Sequence, residues 1–268
     1  MLKDYVSGWD ARIAAWIEKA GKDDLDAPEL IAAYHDGDPT RALQRRALPE
    51  PYVGNPLADA LDAVVVNLNP GSDLVDQRLP AGEHAMNVAK NGYHAVYSQW
   101  CVPEKTSNWW ARRRDWVHRI LPDSQRRADI FGIDLFPWHS AGWGGIAWTQ
   151  PVVQWMESNV IDVVRSLAPL TRLGKLTREH GHPAAALAVG ASVRELLKRA
   201  GYTVEPLLRV AGWPDAATGE PSARRFYRCT AKDGGLQVLV TTAPRSNTAP
   251  SALFDGVVRH YLGIEVRK

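Results

Sequence analysis

The chain's 268 residues carry a formal net charge of only +2, with 45% hydrophobic and 23% charged residues, the proportions of an ordinary globular protein. No apolar run is long enough to span a bilayer, and Met1-Leu2-Lys3-Asp4 lacks the charged-then-apolar pattern of a secretory signal, so the expectation is a cytoplasmic monomer with no membrane partner. Two cysteines, Cys101 and Cys229, with no CxxC, are too few for an iron–sulfur cluster or a four-cysteine zinc site, and each reads as a buried free thiol.

In chain order, Trp9, Ile13, Trp16 and Ile17 recur at helical spacing. Asp26 as cap and Glu29 three residues on predict a second helix. Residues 1–50 are therefore expected to form an N-terminal helical extension, and residues 51–268 the catalytic domain. Leu48 to Pro56, with three prolines, is a loop. Ala63 to Leu68 is an apolar, β-branched strand, stopped by Asn69-Pro70-Gly71. Residues 72 to 127 are polar and aromatic, with a helix over Asn108 to Ile120.

Ala128 to Phe136 reads as a second strand, ended by Pro137. Pro151 to Leu167 carries Val152, Trp155, Met156, Val160, Val163, Val164 and Leu167 on one stripe, the pattern of a core-facing helix. Ala185 to Val189 is a third strand, entering a helix in which Ser192 and Glu195 make a capping box and Gly201 is the stop. Leu236 to Thr242 is a fourth strand, followed by a loop and a helix over Ser251 to Leu262. Strands alternating with helices imply an α/β fold: a three-layer α/β/α sandwich around a central, mostly parallel four-stranded sheet.

In such sheets ligands bind beyond the carboxyl ends of the strands. Three loops qualify: Asn69-Pro70-Gly71, Asp134 to Trp138, and Ala243 to Asn247. Asn69 is no base, but its carbonyl can orient a water, which suffices for a cationic, dissociative transition state such as that of glycosidic cleavage. The alternative for Asn69 is a turn whose asparagine caps the next helix. Asp134 beside Phe136 and Trp138 is a carboxylate among aromatics, suited to accept from the amino edge of cytosine. Pro244, Arg245, Ser246 and Asn247 form a small basic loop able to touch phosphate or enter a base stack.

Arginines cluster at Arg112, Arg113 and Arg114 and at Arg224 and Arg225, the footprint of a phosphate-binding face or of a solvated helix face. Trp100, Trp109, Trp110 and Trp116 interleave with the first cluster, placed either for base stacking or for the core. No GxxxxGK[ST] or GxSxG occurs, and His180-Gly181-His182 lacks a third ligand. No metal or cofactor is expected.

The three loops, in this order after successive strands, resemble the uracil-DNA glycosylase superfamily, closest to its single-strand-selective monofunctional branch. The family's Gly-Met-Asn-Pro-Gly is matched by Asn67-Leu68-Asn69-Pro70-Gly71, its Asn-Leu-Cys-Pro by Asp134-Leu135-Phe136-Pro137, and its His-Pro-Ser-Pro-Arg-Asn by Ala243-Pro244-Arg245-Ser246-Asn247. The resemblance spans roughly residues 50 to 262 and implies a monofunctional glycosylase acting on double- or single-stranded DNA. It gives Asn69 the attacking water. Pro70, Gly71, Phe136 and Trp138 line the base, and the arginines hold phosphates. Two departures stand out. Asp134 replaces the family's base-reading asparagine and, when ionised, only accepts, which favours a cytosine derivative over uracil. Ala243 replaces the histidine that stabilises the leaving base, leaving His139 as a possible donor in its place.

The resemblance therefore implies a hypermodified cytosine of phage DNA, such as glucosylated hydroxymethylcytosine, as substrate, with an abasic site as product. A uracil or oxidised-pyrimidine repair enzyme, a catalytically silent DNA-binding relative, and a hydrolase of free nucleosides remain as alternatives. The first motif's loop holds no lysine, so no lyase step is implied.

Overall fold

The strands are β1 (Tyr52–Val53), β2 (Ala63–Asn67), β3 (Ile130–Asp134), β4 (Ala184–Val189), β5 (Thr203–Pro206), β6 (Arg225–Thr230) and β7 (Leu236–Thr242). The computed structural model describes residues 2–21, 25, 27–34, 43–68, 79–98, 108–121, 128–140, 145–207, 224–243 and 248–264. Its helices are α1 (Leu2–Glu18), α2 (Pro28–Ala32), α3 (Glu83–Asn91), α4 (Tyr93–Tyr97), α5 (Asn108–Ile120), α6 (Gln150–Met156), α7 (Asp162–Leu167), α8 (Arg172–Glu179), α9 (Ala191–Arg199) and α10 (Asp255–Leu262). Among the described residues no helix is long and apolar enough to cross a membrane.

The fold is α/β, as expected, but its sheet is larger. Seven strands lie in the order β1-β3-β2-β4-β7-β6-β5. β2, β4 and β7 run parallel, with Val65 opposite Leu187 and Leu187 opposite Leu239. β6 is antiparallel to β7, and β5 to β6, so the sheet is mixed. β5 and β6 carry no continuous apolar run: most of their positions keep some exposure, whereas all six of β4 are buried. An antiparallel strand with one face open to solvent needs no continuous apolar run, and its sequence does not stand out.

The chain forms two compact units. One comprises Met1–Leu57, Asn69–Trp100 and Ile133–Val163; the other comprises Ala58–Leu68, Cys101–Gly132 and Val164–Lys268. Residues 1–50, the expected extension, lie within the first unit. There α1 packs on α3 and α4, and α2 packs on α6. In the second unit α8 packs on β2 and β4, α9 on β5, β6 and β7, and α10 on α5. Gly132 of β3 has to be glycine, because a Cβ there would run into the indole of Trp110 on α5. Trp110 and Trp116 are both buried, the core reading of these tryptophans.

Several local expectations change. Tyr52–Val53, within the segment expected as a loop, forms β1. The segment expected as one helix from Pro151 is interrupted by a π-helical turn at Glu157–Ile161, between α6 and α7. α9 is capped by Gly190, at φ 118°, with no side-chain cap, so Ser192 lies inside the helix. Glu195 instead pairs with Arg199 at 2.8 Å, one turn on.

Candidate functional site

The end of β3 places Asp134 in the first unit. Its backbone N–H donates to the carbonyl of Pro51 at 2.9 Å, and only 3% of the residue is exposed. Phe136 and Trp138 follow, both fully buried, with ring centroids 5.0 Å apart. Phe136 also stacks on Tyr34 at 5.2 Å and 25°. One face of Phe136 is therefore covered by protein, which departs from its expected use against a flipped base. The indole N–H of Trp138 is buried and donates to no described residue.

The N-terminal helix reaches this region. Tyr5 of α1 packs on Tyr52 of β1, ring centroids 5.7 Å apart, and Tyr52 follows the proline bonded to Asp134. Burial lifts the Tyr5 hydroxyl far above the ordinary phenol range; the indole of Trp9 and the charge of Arg12 oppose this, and the Asp134 carboxylate adds to it. Tyr5 is therefore a neutral hydroxyl beside a buried carboxylate. Tyr52 and Tyr93 are raised in the same sense, mainly by burial, then by Asp10 for Tyr52 and by Tyr97 and Glu50 for Tyr93.

Next to these tyrosines runs a chain of polar side chains from four segments. His139, 1% exposed, has Nε2 at 3.1 Å from the Leu48 carbonyl oxygen and 3.7 Å from Oε1 of Glu50. Tyr97 donates to the same Oε1 at 2.6 Å, and Nε2 of His84 lies 2.7 Å from the Tyr97 hydroxyl. Tyr93 stacks on Tyr97 at 4.2 Å and donates to the Tyr52 carbonyl at 2.7 Å. Glu50 and Tyr97 are buried, while His84 lines a groove of about 560 Å³ with Glu83, Met86, Asn87 and Lys90. Sequence reading singled out His139 and missed its three companions. The Glu50–Tyr97 bond joins residues 47 positions apart, which no local pattern marks.

The expected arginines fare differently. Arg113 is fully buried: its Nε donates to Oδ1 of Asn67 at the end of β2, and its guanidinium lies 5.9 Å from the Trp110 ring. Arg114 is 4% exposed and donates to the Ala128 carbonyl at 2.9 Å. Arg224, 2% exposed, donates to the Thr241 hydroxyl at 3.0 Å and lies over Phe254. These three hold the second unit together internally, a correction to their expected role on phosphate. A guanidinium on a helix or strand looks the same in sequence whether it points in or out. Arg112 and Arg225 are exposed.

Asn69, Pro70 and Gly71 lie outside the described residues, as do Pro244, Arg245, Ser246 and Asn247. Asn67, two residues before Asn69, is held by Arg113; its amide nitrogen is buried and donates to no described residue. Among the described residues no group of three or more His, Cys, Asp or Glu could hold a metal ion. Cys229 is a buried free thiol, and burial pushes it up to about 12. Compared with protein-family models, with curated proteins and with solved structures, the chain gives no match.

Proposed function

We propose that this chain is a monofunctional DNA glycosylase of the uracil-DNA glycosylase type, built on that family's three-layer α/β/α sandwich. Its substrate on this reading is a hypermodified, glucosylated hydroxymethylcytosine. The observation that carries the reading is the buried carboxylate of Asp134 at the end of β3, followed in the chain by the buried rings of Phe136 and Trp138. A buried carboxylate is stabilised by donors, and the exocyclic amine of cytosine is such a donor. The order of the three motifs in the sequence supports the same conclusion.

In this mechanism the nucleotide leaves the stack at a cost of about a few kcal/mol. Asp134 accepts from the base amine. The glycosidic C–N bond breaks towards an oxocarbenium ion, and the water oriented by Asn69 adds to the sugar carbon, leaving an abasic site and the free base. His139 supplies the proton that the departing base takes up. Of the arginines expected on phosphate, the exposed Arg112 and Arg225 suit that role, together with the Pro244 to Asn247 loop. The protein would act without a metal, in the cytoplasm, as a monomer.

Base release from DNA containing glucosylated hydroxymethylcytosine, uracil or plain cytosine tests the reading. Release from the first alone is expected, lost in Asn69→Ala and reduced at least about 100-fold in Asp134→Ala. Release from uracil DNA would replace the reading with a repair enzyme. DNA binding without release would make the chain a silent relative.

A further inference from the structure

We propose that His84, Tyr97 and Glu50 form a two-state proton wire that sets the charge on His139 from the groove on α3.

Which atoms can donate fixes where the protons sit. The Leu48 carbonyl only accepts, so Nε2 of His139, 3.1 Å away, carries a proton. The proton that His139 gains or loses is therefore the one on Nδ1. An ionised Glu50 also only accepts, so the 2.6 Å bond is a donation from Tyr97. A phenol has one proton to give. The oxygen of Tyr97 must then accept from Nε2 of His84 across 2.7 Å. In this first state the bonds run from His84 through Tyr97 into Glu50.

A second state reverses the donations. A proton from solvent binds Nδ1 of His84, making it a cation. Its Nε2–H bond then breaks as a new O–H bond forms on Tyr97. The old Tyr97 O–H bond breaks as one forms on Oε1 of Glu50. Tyr97 ends unchanged, His84 is neutral again and Glu50 is protonated. One proton has moved inwards, and no other reactant is needed.

The consequence falls on His139. An ionised carboxylate 3.7 Å from Nε2 favours the imidazolium, and a protonated one does not. Other ionisable groups lie around the wire. Tyr93 on α4 stacks on Tyr97 and is neutral, and Tyr52 links by its hydroxyl to Nδ1 of His94, whose backbone N–H donates to Asp10. Glu83 and Lys90 share the groove with His84. His84 is half-buried while Glu50 and Tyr97 are buried, so the wire has one wet end and one dry end.

The role of this wire in base release rests on the glycosylase reading, but the wire does not. Nitrogen-15 NMR of the imidazoles in the full-length chain tests it directly. His139 should keep the Nε2–H tautomer when neutral and titrate in two steps, one of them coincident with His84. Tyr97→Phe should uncouple the two histidines, so that no step of His139 coincides with His84, and Glu50→Gln should lower the proton affinity of His139 at least about tenfold. His84→Gln, at the solvent end, provides the same cut should Tyr97→Phe fail to fold. An unchanged two-step curve in either cut variant overturns the proposal, as does an unchanged His139 in Glu50→Gln. Absence of base release with these NMR results intact would refute the glycosylase reading alone.

Discussion

Strand β4 of the second unit and the Glu50–Tyr97–His139 cluster of the first are equally buried and are held in opposite ways. In the second, β4 reads Ala-Ala-Ala-Leu-Ala-Val and is buried at every position between β2 and β7. Its side chains need only shape and exclusion of water, at about 25 cal/mol per Å² of apolar surface removed. In the first, Glu50, Tyr97 and His139 are just as hidden, yet each is polar and answered by another polar group. Burying such groups gains little stability over an apolar cluster and costs much when one partner is removed. Equal burial therefore marks two different things: a scaffold in β4, and a geometry worth preserving in the polar cluster.

Substitutions can break or sharpen that contrast. Glu50→Ala would leave the donors of Tyr97 and His139 facing an empty site and should lower stability by about 3–5 kcal/mol, read as a shift of the urea midpoint. Leu187→Ala, in the middle of β4, should cost about 2–5 kcal/mol through lost contact and a cavity. It should also leave the His139 titration untouched. Tyr97→Phe removes one hydrogen bond to a charged acceptor, about 1.5–3 kcal/mol, while keeping the ring that stacks on Tyr93. If Glu50→Ala proved no more costly than an exposed substitution, the polar interior of the first unit would not be the sealed site described above.

The thiol of Cys229 gives a pH test within the second unit. Its folded value, about 12, lies above the ordinary 9. The folded state therefore binds this proton more tightly than the unfolded one. The resulting stabilisation is full below pH 9 and is lost as pH rises towards 12. Cys229→Ala should flatten the alkaline limb of stability in that window, and iodoacetamide should label the wild-type thiol at pH 8 only after denaturation. The smallest effect belongs to Glu195→Ala on α9, whose exposed pair with Arg199 should account for about 0.3–0.5 kcal/mol.

What could be read in the sequence follows the same divide. Continuous apolar runs announced β2, β3, β4 and β7, and the helix over Asn108–Ile120 has the bounds its sequence suggested. Those signals are local: periodicity and its interruption by Pro or Gly. β5 and β6 were invisible because half-exposed strands share their composition with loops. Asp134, Phe136, Trp138 and His139 were legible as candidates because they follow one another after a strand. Glu50, His84, Tyr97 and Tyr5 were not, because only the tertiary fold brings them to the same place. The inward turn of Arg113, Arg114 and Arg224 was hidden for the same reason: a positive charge is read from sequence, its partner is not.

The π-helical turn at Glu157–Ile161 has a consequence for how this chain can change over time. Such a turn holds one residue more than an α-helix needs, and each residue of an α-helix advances the face by about 100°. Deleting a single residue there would restore a regular helix and turn α6 against α7 by about that angle. At this place a change of length acts as a change of aim. A lineage could redirect the side chains of one helix without altering any of them.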